Sequence, residues 1–278
     1  MLNASDLTPL IGTLISGLDL AHGYTPADLK TLRRTLATRG VVVLRGQQLT
    51  AEQFLAFSHA FAQPWVATSA DMELTPLSNI VEQGIAPGRA DNEVQWQAGG
   101  AHLKTPYRAT LQYAVEIPLN DGAPLGDTLF ASMSAAHDAL DPALQAQLHG
   151  MRAVHKSSAG RRKRATTFYL DSALTQGYQG GVEHPVVRAH PDTGCKCLYV
   201  NAACTAFIRG LADRYSSELL AQLIAHLARA EFIYRHAWQI GDVLLWDNAS
   251  TQHRTMKDYD APLRRLLYRV VVKDLPTR

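Results

Sequence analysis

His253 and a short arginine-rich segment are the parts of this sequence whose residue types could do chemistry. Arg264, Arg265 and Arg269 place three guanidinium groups close together along the chain. A guanidinium is planar and donates paired hydrogen bonds to carboxylates. An imidazole can act as a general acid or base near neutral pH, or ligate a metal. If the fold brings them together, these groups could bind and act on a small molecule that carries a carboxylate.

The composition of the chain limits the kinds of molecule that it can bind. The chain has 278 residues, 46% of them hydrophobic, and a formal net charge of +2, which argues against nucleic acid or an anionic membrane as a partner. The basic run Arg161–Arg164 is interpreted as a solvated loop. The first residues lack the pattern of a secretory signal, and no apolar run reaches the ~20 residues that span a bilayer, so we predict a cytoplasmic protein. The three cysteines lack zinc-finger spacing and are predicted to be reduced thiols.

Four helices are predicted from capping residues and apolar periodicity. Thr25 and Pro26 begin a helix that ends at Gly40, with Leu residues on one face. Thr50-Ala-Glu-Gln is a capping box that begins a second helix. A third helix is predicted from Asp141 to Gly150 and a fourth over residues 216–228.

Short β-rich runs separated by Gly, Pro and Asp predict the strands. These runs are Val41–Leu44, Thr110–Val115, Val186–His190, Leu198–Val200, Asp242–Trp246 and Leu266–Val272. Many short strands with few helices between them favour a mainly β fold with flanking helices, an antiparallel jelly roll. The chain lacks a GxGxxG after a strand, so a dinucleotide-binding fold lacks its fingerprint. We find no linker-like tract, and we predict a single domain over residues 1–278.

Four collinear segments resemble the TauD/TfdA (taurine/2,4-D dioxygenase-like) family of iron(II)/2-oxoglutarate-dependent oxygenases. They are Gly40-Val-Val-Val-Leu-Arg-Gly with Leu49-Thr-x-Glu-Gln; Asp91-Asn92, Trp96 and Gly126-Asp-Thr-Leu-Phe; His184-Pro-Val-Val-Arg through Leu198-Tyr-Val-Asn; and Gly241-Asp-Val through Trp246-Asp-Asn, His253 and Arg269. They cover nearly the whole chain. The resemblance implies a double-stranded β-helix, which agrees with the jelly roll predicted from the strand pattern.

The resemblance also implies a role for individual residues. His253 matches the distal histidine of the family's iron site, and Arg265 matches the arginine that pairs with the far carboxylate of 2-oxoglutarate. Thr128 matches a hydroxyl that helps to hold that carboxylate. Arg269 matches a second arginine, which faces an acidic substrate group in the taurine enzyme. Trp96, next to the metal motif, is counted with the substrate-binding residues.

The first two iron ligands of the family are a histidine and an aspartate in a Trp-His-x-Asp motif, and this chain has Trp96-Gln97-Ala98-Gly99 there. Gln97 offers a neutral amide and Gly99 has no side chain, so His253 is the one strong ligand left of a site that needs about three protein donors. A rival register on His102 loses the Trp and places Lys104 where a carboxylate belongs. We therefore expect iron to bind weakly or not at all.

Three functions are compatible with this sequence. The first is a divergent enzyme that uses His253 for metal-independent acid–base chemistry (cyclisation, elimination or isomerisation) on a carboxylate bound by Arg265, Arg269, Thr128 and Gln97. The second is an iron(II)/2-oxoglutarate-dependent dioxygenase with an atypical metal site. The third is a non-catalytic binding protein that keeps the pocket. A homo-oligomer remains open.

Overall fold

The computed structural model describes residues 2–66, 72–79, 94–157 and 181–273. The family residues Asp91 and Asn92 and the basic run Arg161–Arg164 lie outside these ranges. The helices are α1 (Pro26–Arg39), α2 (Ala51–Ala62), α3 (Met133–Asp138), α4 (Pro142–Leu148), α5 (Asp213–Leu227) and a 3-10 helix over Ala230–Phe232. No helix within these ranges is long and apolar enough to cross a membrane.

The strands are short and mostly antiparallel. They are β1 (Asn3–Asp6), β2 (Thr13–Ser16), β3 (Val41–Leu44), β4 (Thr75–Ser78), β5 (Tyr107–Glu116), β6 (Leu119–Asn120), β7 (Ala123–Pro124), β8 (Thr128–Ser132), β9 (Arg152–His155), β10 (Val182–Pro185), β11 (Val187–Ala189), β12 (Lys196–Leu198), β13 (Thr205–Ile208), β14 (Ile233–His236), β15 (Val243–Asp247), β16 (Thr251–Thr255) and β17 (Leu266–Lys273).

Two sheets form the centre of the fold. A seven-stranded sheet has the order β1-β2-β3-β15-β5-β17-β4, and a three-stranded sheet has the order β14-β8-β16. Successive residues of a strand point to opposite faces. In β15, Val243 and Leu245 therefore pack against α1 and α2, whereas Leu244 and Trp246 pack inward against Phe130 of the small sheet. The result is the predicted mainly β jelly roll with flanking helices.

The N-cap predicted at Thr25 and the capping box predicted at Thr50 are confirmed, and Thr25 also forms a capping box. The Thr25 side chain accepts a hydrogen bond from the backbone N–H of Asp28, and Thr50 accepts one from Gln53. Both helices bury one apolar face against the large sheet, Leu29, Leu32 and Leu36 in the first of them. These helices fix the outer face of the sheet whose inner face carries the candidate site.

Some element bounds differ from prediction. The strand predicted over Leu198–Val200 runs over Lys196–Leu198, because Val187 of β11 pairs with Leu198 and the ladder extends back from there. Helix α3 and strands β8, β14 and β16 were not predicted at all. These three strands make up the small sheet, which carries His253.

Candidate active site

Gln97 and His253 lie side by side, although 156 residues separate them in sequence. The backbone N–H of Gln97 donates to the His253 carbonyl at 3.0 Å, and the N–H of His253 donates to the Gln97 carbonyl at 2.9 Å. The side chains also meet, with Gln97 Nε2 at 3.4 Å from His253 Nε2. The register that places Gln97 opposite His253 is thus confirmed, and the rival register on His102 is wrong.

Asn248 fills the space beside Gly99. A Cβ atom on Gly99 would lie 2.5 Å from Asn248 Oδ1 and 2.8 Å from its Cγ. The Asn248 side chain is held in place, because Oδ1 accepts from the Gly99 N–H at 3.2 Å and from Trp246 Nε1 at 3.0 Å, and Nδ2 donates to Thr110 Oγ1 at 3.0 Å. Any side chain at position 99 therefore requires Asn248 to move.

A cavity of about 250 Å³ lies between the two sheets at this point. It is lined by Gln97, Ala98, Gly99, Gly100, His102, Tyr107, Thr110, Ala203, Cys204, Trp246, His253, Arg269 and Val271. The prediction that Gln97, Gly99 and His253 converge on one cavity is confirmed. Its wall combines one guanidinium, two imidazoles and apolar surface, a composition suited to a small anionic molecule with an apolar part.

The prediction that Thr128 and Arg265 line this same cavity is wrong; of the residues predicted to bind a carboxylate, Arg269 lines it. The buried Thr128 hydroxyl accepts from Trp238 Nε1 at 3.0 Å. The Arg265 side chain turns towards Gly126, donating to its carbonyl at 3.3 Å, and its Cζ lies 6.0 Å from the centre of the Tyr259 ring. Arg265 Nε is buried and makes no hydrogen bond with the described residues.

Trp96 also lies outside the cavity wall, contrary to its assignment among the substrate-binding residues. Its ring is half-buried and packs under the guanidinium of Arg254, with 5.4 Å between Cζ and the ring centre. Its carbonyl accepts from the N–H of Ala203 at 3.1 Å. Trp96 thus supports the segment that carries Gln97.

The residues present do not fit an iron(II) site of the facial-triad kind. Such a site takes two imidazoles and a carboxylate from the protein. Here one imidazole, His253, is present, an amide replaces the second, and the buried Asn248 amide occupies the space over Gly99. In the described ranges, no three His, Cys, Asp or Glu side chains gather in a way that could hold a metal ion.

The structure adds a buried polar cluster beside the cavity that was not predicted. His155 is fully buried, and its ring lies 5.2 Å from that of His184 and 5.9 Å from that of Tyr199. Burial, with a smaller contribution from His184, lowers the pKa of His155 to about 3. The sequence gives little signal for such a cluster, because its members come from segments that are far apart in the chain.

This burial predicts acid lability. Below the ordinary histidine pKa of about 6.5, His155 is protonated in the unfolded chain and stays neutral in the folded protein. The free energy of unfolding therefore falls as the pH falls towards 3. Between pH 7 and pH 5 the loss from this residue should be about 2 kcal/mol, and His184, whose pKa is also lowered by burial, adds to it. Urea unfolding at both pH values measures the effect.

The variant His155→Gln should show a smaller difference between the two pH values than wild type. His22 is exposed and paired with Asp19, so His22→Gln serves as the matched control and should leave the difference unchanged. Equal pH dependence in wild type and His155→Gln would show that His155 titrates normally in the folded protein.

Comparison with known proteins places the chain in a family. The model of the taurine catabolism dioxygenase TauD, TfdA family matches residues 3–271. The chain is 30% identical to the alpha-ketoglutarate-dependent 2,4-dichlorophenoxyacetate dioxygenase of Cupriavidus pinatubonensis, with 98% of this chain and 97% of that protein covered. It is also 30% identical to pentalenolactone F synthase of Streptomyces arenae, with 96% and 94% covered. The protein therefore belongs to the TauD/TfdA family.

Comparison with solved structures supports the same family. A putative alpha-ketoglutarate-dependent taurine dioxygenase from Burkholderia xenovorans superposes with a TM-score of 0.78 at 28% identity, covering 99% of this chain and 93% of that chain. The structure of AAD-2 in complex with Mn(II) and N-oxalylglycine gives a TM-score of 0.79 at 25% identity, covering 99% and 98%. The fold is thus that of the family's dioxygenases.

Proposed function

We propose that this protein binds a small carboxylate-bearing molecule in the cavity and acts on it by acid–base chemistry at His253, without iron. The observation that carries the proposal is the contact between Gln97 Nε2 and His253 Nε2, 3.4 Å apart. This imidazole nitrogen meets an amide, with Asn248 filling the neighbouring space. A neutral amide does not supply the further strong donors that an iron site needs, whereas an imidazole alone can transfer protons near neutral pH.

The cavity wall provides the other functions that such chemistry needs. Arg269 offers a guanidinium to the carboxylate, and bidentate pairing would fix the ligand's orientation. Trp246 and Val271 supply apolar surface that limits water. The His253 ring packs 4.9 Å from Trp246 and 6.2 Å from Phe130. In this proposal His253 takes a proton from a carbon near the carboxylate, as isomerisation, elimination or cyclisation requires.

Deuterium exchange tests the proposal directly. Protein treated with EDTA is incubated in D₂O with 2-oxoglutarate or (S)-phenoxypropionate, and loss of C–H signals is followed by proton NMR. We expect exchange of at least one probe to be accelerated by wild type and to fall by roughly 10²-fold or more in His253→Gln, the usual contribution of a general base. The variant His22→Gln, altered at an exposed histidine, should match wild type.

Two results would contradict the proposal. Exchange that disappears on adding EDTA and returns with Fe²⁺ would show a metal-dependent reaction. Thermal stabilisation by a probe without any exchange would favour a non-catalytic binding protein.

The second candidate is iron(II)/2-oxoglutarate-dependent oxygenation. Its support comes from the named relatives and from Arg265, whose buried Nε makes no hydrogen bond with the described residues and lies near Gly126. A carboxylate there would satisfy this nitrogen. Formation of succinate from 2-oxoglutarate in air with added Fe²⁺, abolished by Arg265→Ala, would establish this function over the first.

A further inference from the structure

Cys204 is the cysteine that lines the cavity. It lies just before β13 and lines the same wall as Gln97 and His253. Of the other two cysteines, Cys195 is exposed and Cys197 is buried as Cys204 is, and neither lines this cavity. Cys204 is thus placed to meet whatever the cavity binds.

The polar groups behind Cys204 favour a protonated thiol. The Sγ–H donates to Asn201 Oδ1 at 3.1 Å, and Asn201 Oδ1 also accepts from the Cys204 N–H at 3.0 Å. His155 Nδ1 lies 3.8 Å from Cys204 Sγ and 3.4 Å from Thr205 Oγ1. Burial keeps the His155 imidazole neutral by lowering its pKa to about 3, so transfer of the thiol proton to it would create a buried ion pair at high cost.

We propose that Cys204 is a second catalytic residue of the cavity, a neutral acid that delivers a proton to the carboxylate-bearing ligand while His253 removes one. This rests on the proposed function. Protons and charge balance in this step. His253 takes a proton from a carbon of the ligand and becomes imidazolium. Cys204 gives its S–H proton to the resulting carbanion or enolate and becomes a thiolate. One ligand C–H is lost and another is formed, so ligand and product are isomers or isotopic exchange partners. Solvent returns both side chains to their starting states.

His155 and Asn201 act through Cys204 and are positioning residues. Asn201 Oδ1 holds the S–H, and His155, with its Nε2 buried and making no hydrogen bond with the described residues, packs behind the sulfur. A protein in which Asn201 and His155 no longer hold the Cys204 thiol should keep its affinity for the ligand and lose proton transfer from Cys204.

Thiol labelling locates Cys204 relative to the ligand. Protein is treated with iodoacetamide, with and without (S)-phenoxypropionate or 2-oxoglutarate, and each cysteine is quantified by mass spectrometry. We expect Cys204 to be alkylated and to be protected by the probe that stabilises the protein. Cys195 should react equally in both conditions and Cys197 should react in neither. Failure of that probe to protect Cys204, or of iodoacetamide to reach it, would overturn the proposal.

Exchange kinetics test the chemistry. In the EDTA-treated D₂O assay with the same probes, Cys204→Ala should slow deuterium incorporation by roughly 10²-fold at unchanged affinity, and Cys204→Ser should restore part of it. Exchange by Cys204→Ala at the wild-type rate would overturn the role of Cys204 and leave the proposed function intact. Absence of exchange in wild type would overturn both.

Discussion

The double variant Gln97→His/Gly99→Asp is expected to bind Mn²⁺ at least about 10²-fold more tightly than wild type, since loss of even an outer partner of a metal ligand changes affinity by about 10–100-fold. The backbone bridge between Gln97 and His253 places the two side chains 3.4 Å apart, so the variant would have two imidazoles and a carboxylate at one end of the cavity. Anaerobic titration calorimetry measures the affinity, and His253→Ala in the same background should abolish the gain.

Asn248 limits how far the double variant can gain affinity for Mn²⁺. Because a Cβ at position 99 meets Asn248 Oδ1 at 2.5 Å, Gly99→Ala alone should destabilise the fold by about 1–3 kcal/mol. In an Asn248→Ala background the same substitution should cost far less, a coupling that a double-mutant cycle isolates. Tight Mn²⁺ binding by unaltered wild type would refute the interpretation of the site as one that no longer fits iron.

Replacing Arg269 should weaken binding of a carboxylate by about 2–5 kcal/mol, the range for removing one partner of a buried charge pair. Arg269 is the arginine that lines the cavity with His253, and a carboxylate left there without a guanidinium would be costly to desolvate. Thermal shift followed by calorimetry with 2-oxoglutarate, 2,4-dichlorophenoxyacetate and (S)-phenoxypropionate on wild type and Arg269→Ala measures the loss.

Arg264 provides the matched control. It is partly exposed and pairs with Glu116 at 2.9 Å, so Arg264→Ala removes a neighbouring positive charge without touching the cavity. If Arg264→Ala weakens binding as much as Arg269→Ala, the loss reflects the overall positive charge of this segment and not a direct contact between Arg269 and the carboxylate. If Arg265→Ala has the larger effect, the carboxylate lies near Gly126 instead.

The outer layer of the fold could be predicted from the sequence because its signals are local. Thr25 and Thr50 cap their helices through residues three positions away, and Val41–Leu44 is apolar at every position. The small sheet could not be predicted in this way. Strand β16 reads Thr-Gln-His-Arg-Thr, and its inward position is taken by His253 instead of an apolar residue. A strand that carries a functional polar side chain inward lacks the alternation by which strands are recognised.

The positions of site residues could be predicted where the backbone determines them. They could not be predicted where a side chain has several possible hydrogen-bond partners. The convergence of Gln97 and His253 on one cavity was predicted from the family resemblance, and the backbone bridge between them produces it. The orientation of Arg265 depends on the carbonyl of Gly126 and the ring of Tyr259, contacts that residue spacing does not reveal. Cys204 was left among the thiols without a role, because its proximity to the cavity depends on a loop that packs against Trp96.

The strand order has a consequence for synthesis of the chain. Strand β5 pairs with β15 on one side and β17 on the other, and both follow it by more than about 120 residues. At ribosomal rates of about 5–20 residues per second, β5 leaves the tunnel roughly 6–25 s before its first partner does. During that interval a ten-residue strand, buried at most of its positions in the finished protein, has both edges unpaired, a state prone to aggregation. Nascent chains stalled before Val243 should therefore be held by chaperones, whereas chains released after Lys273 should not.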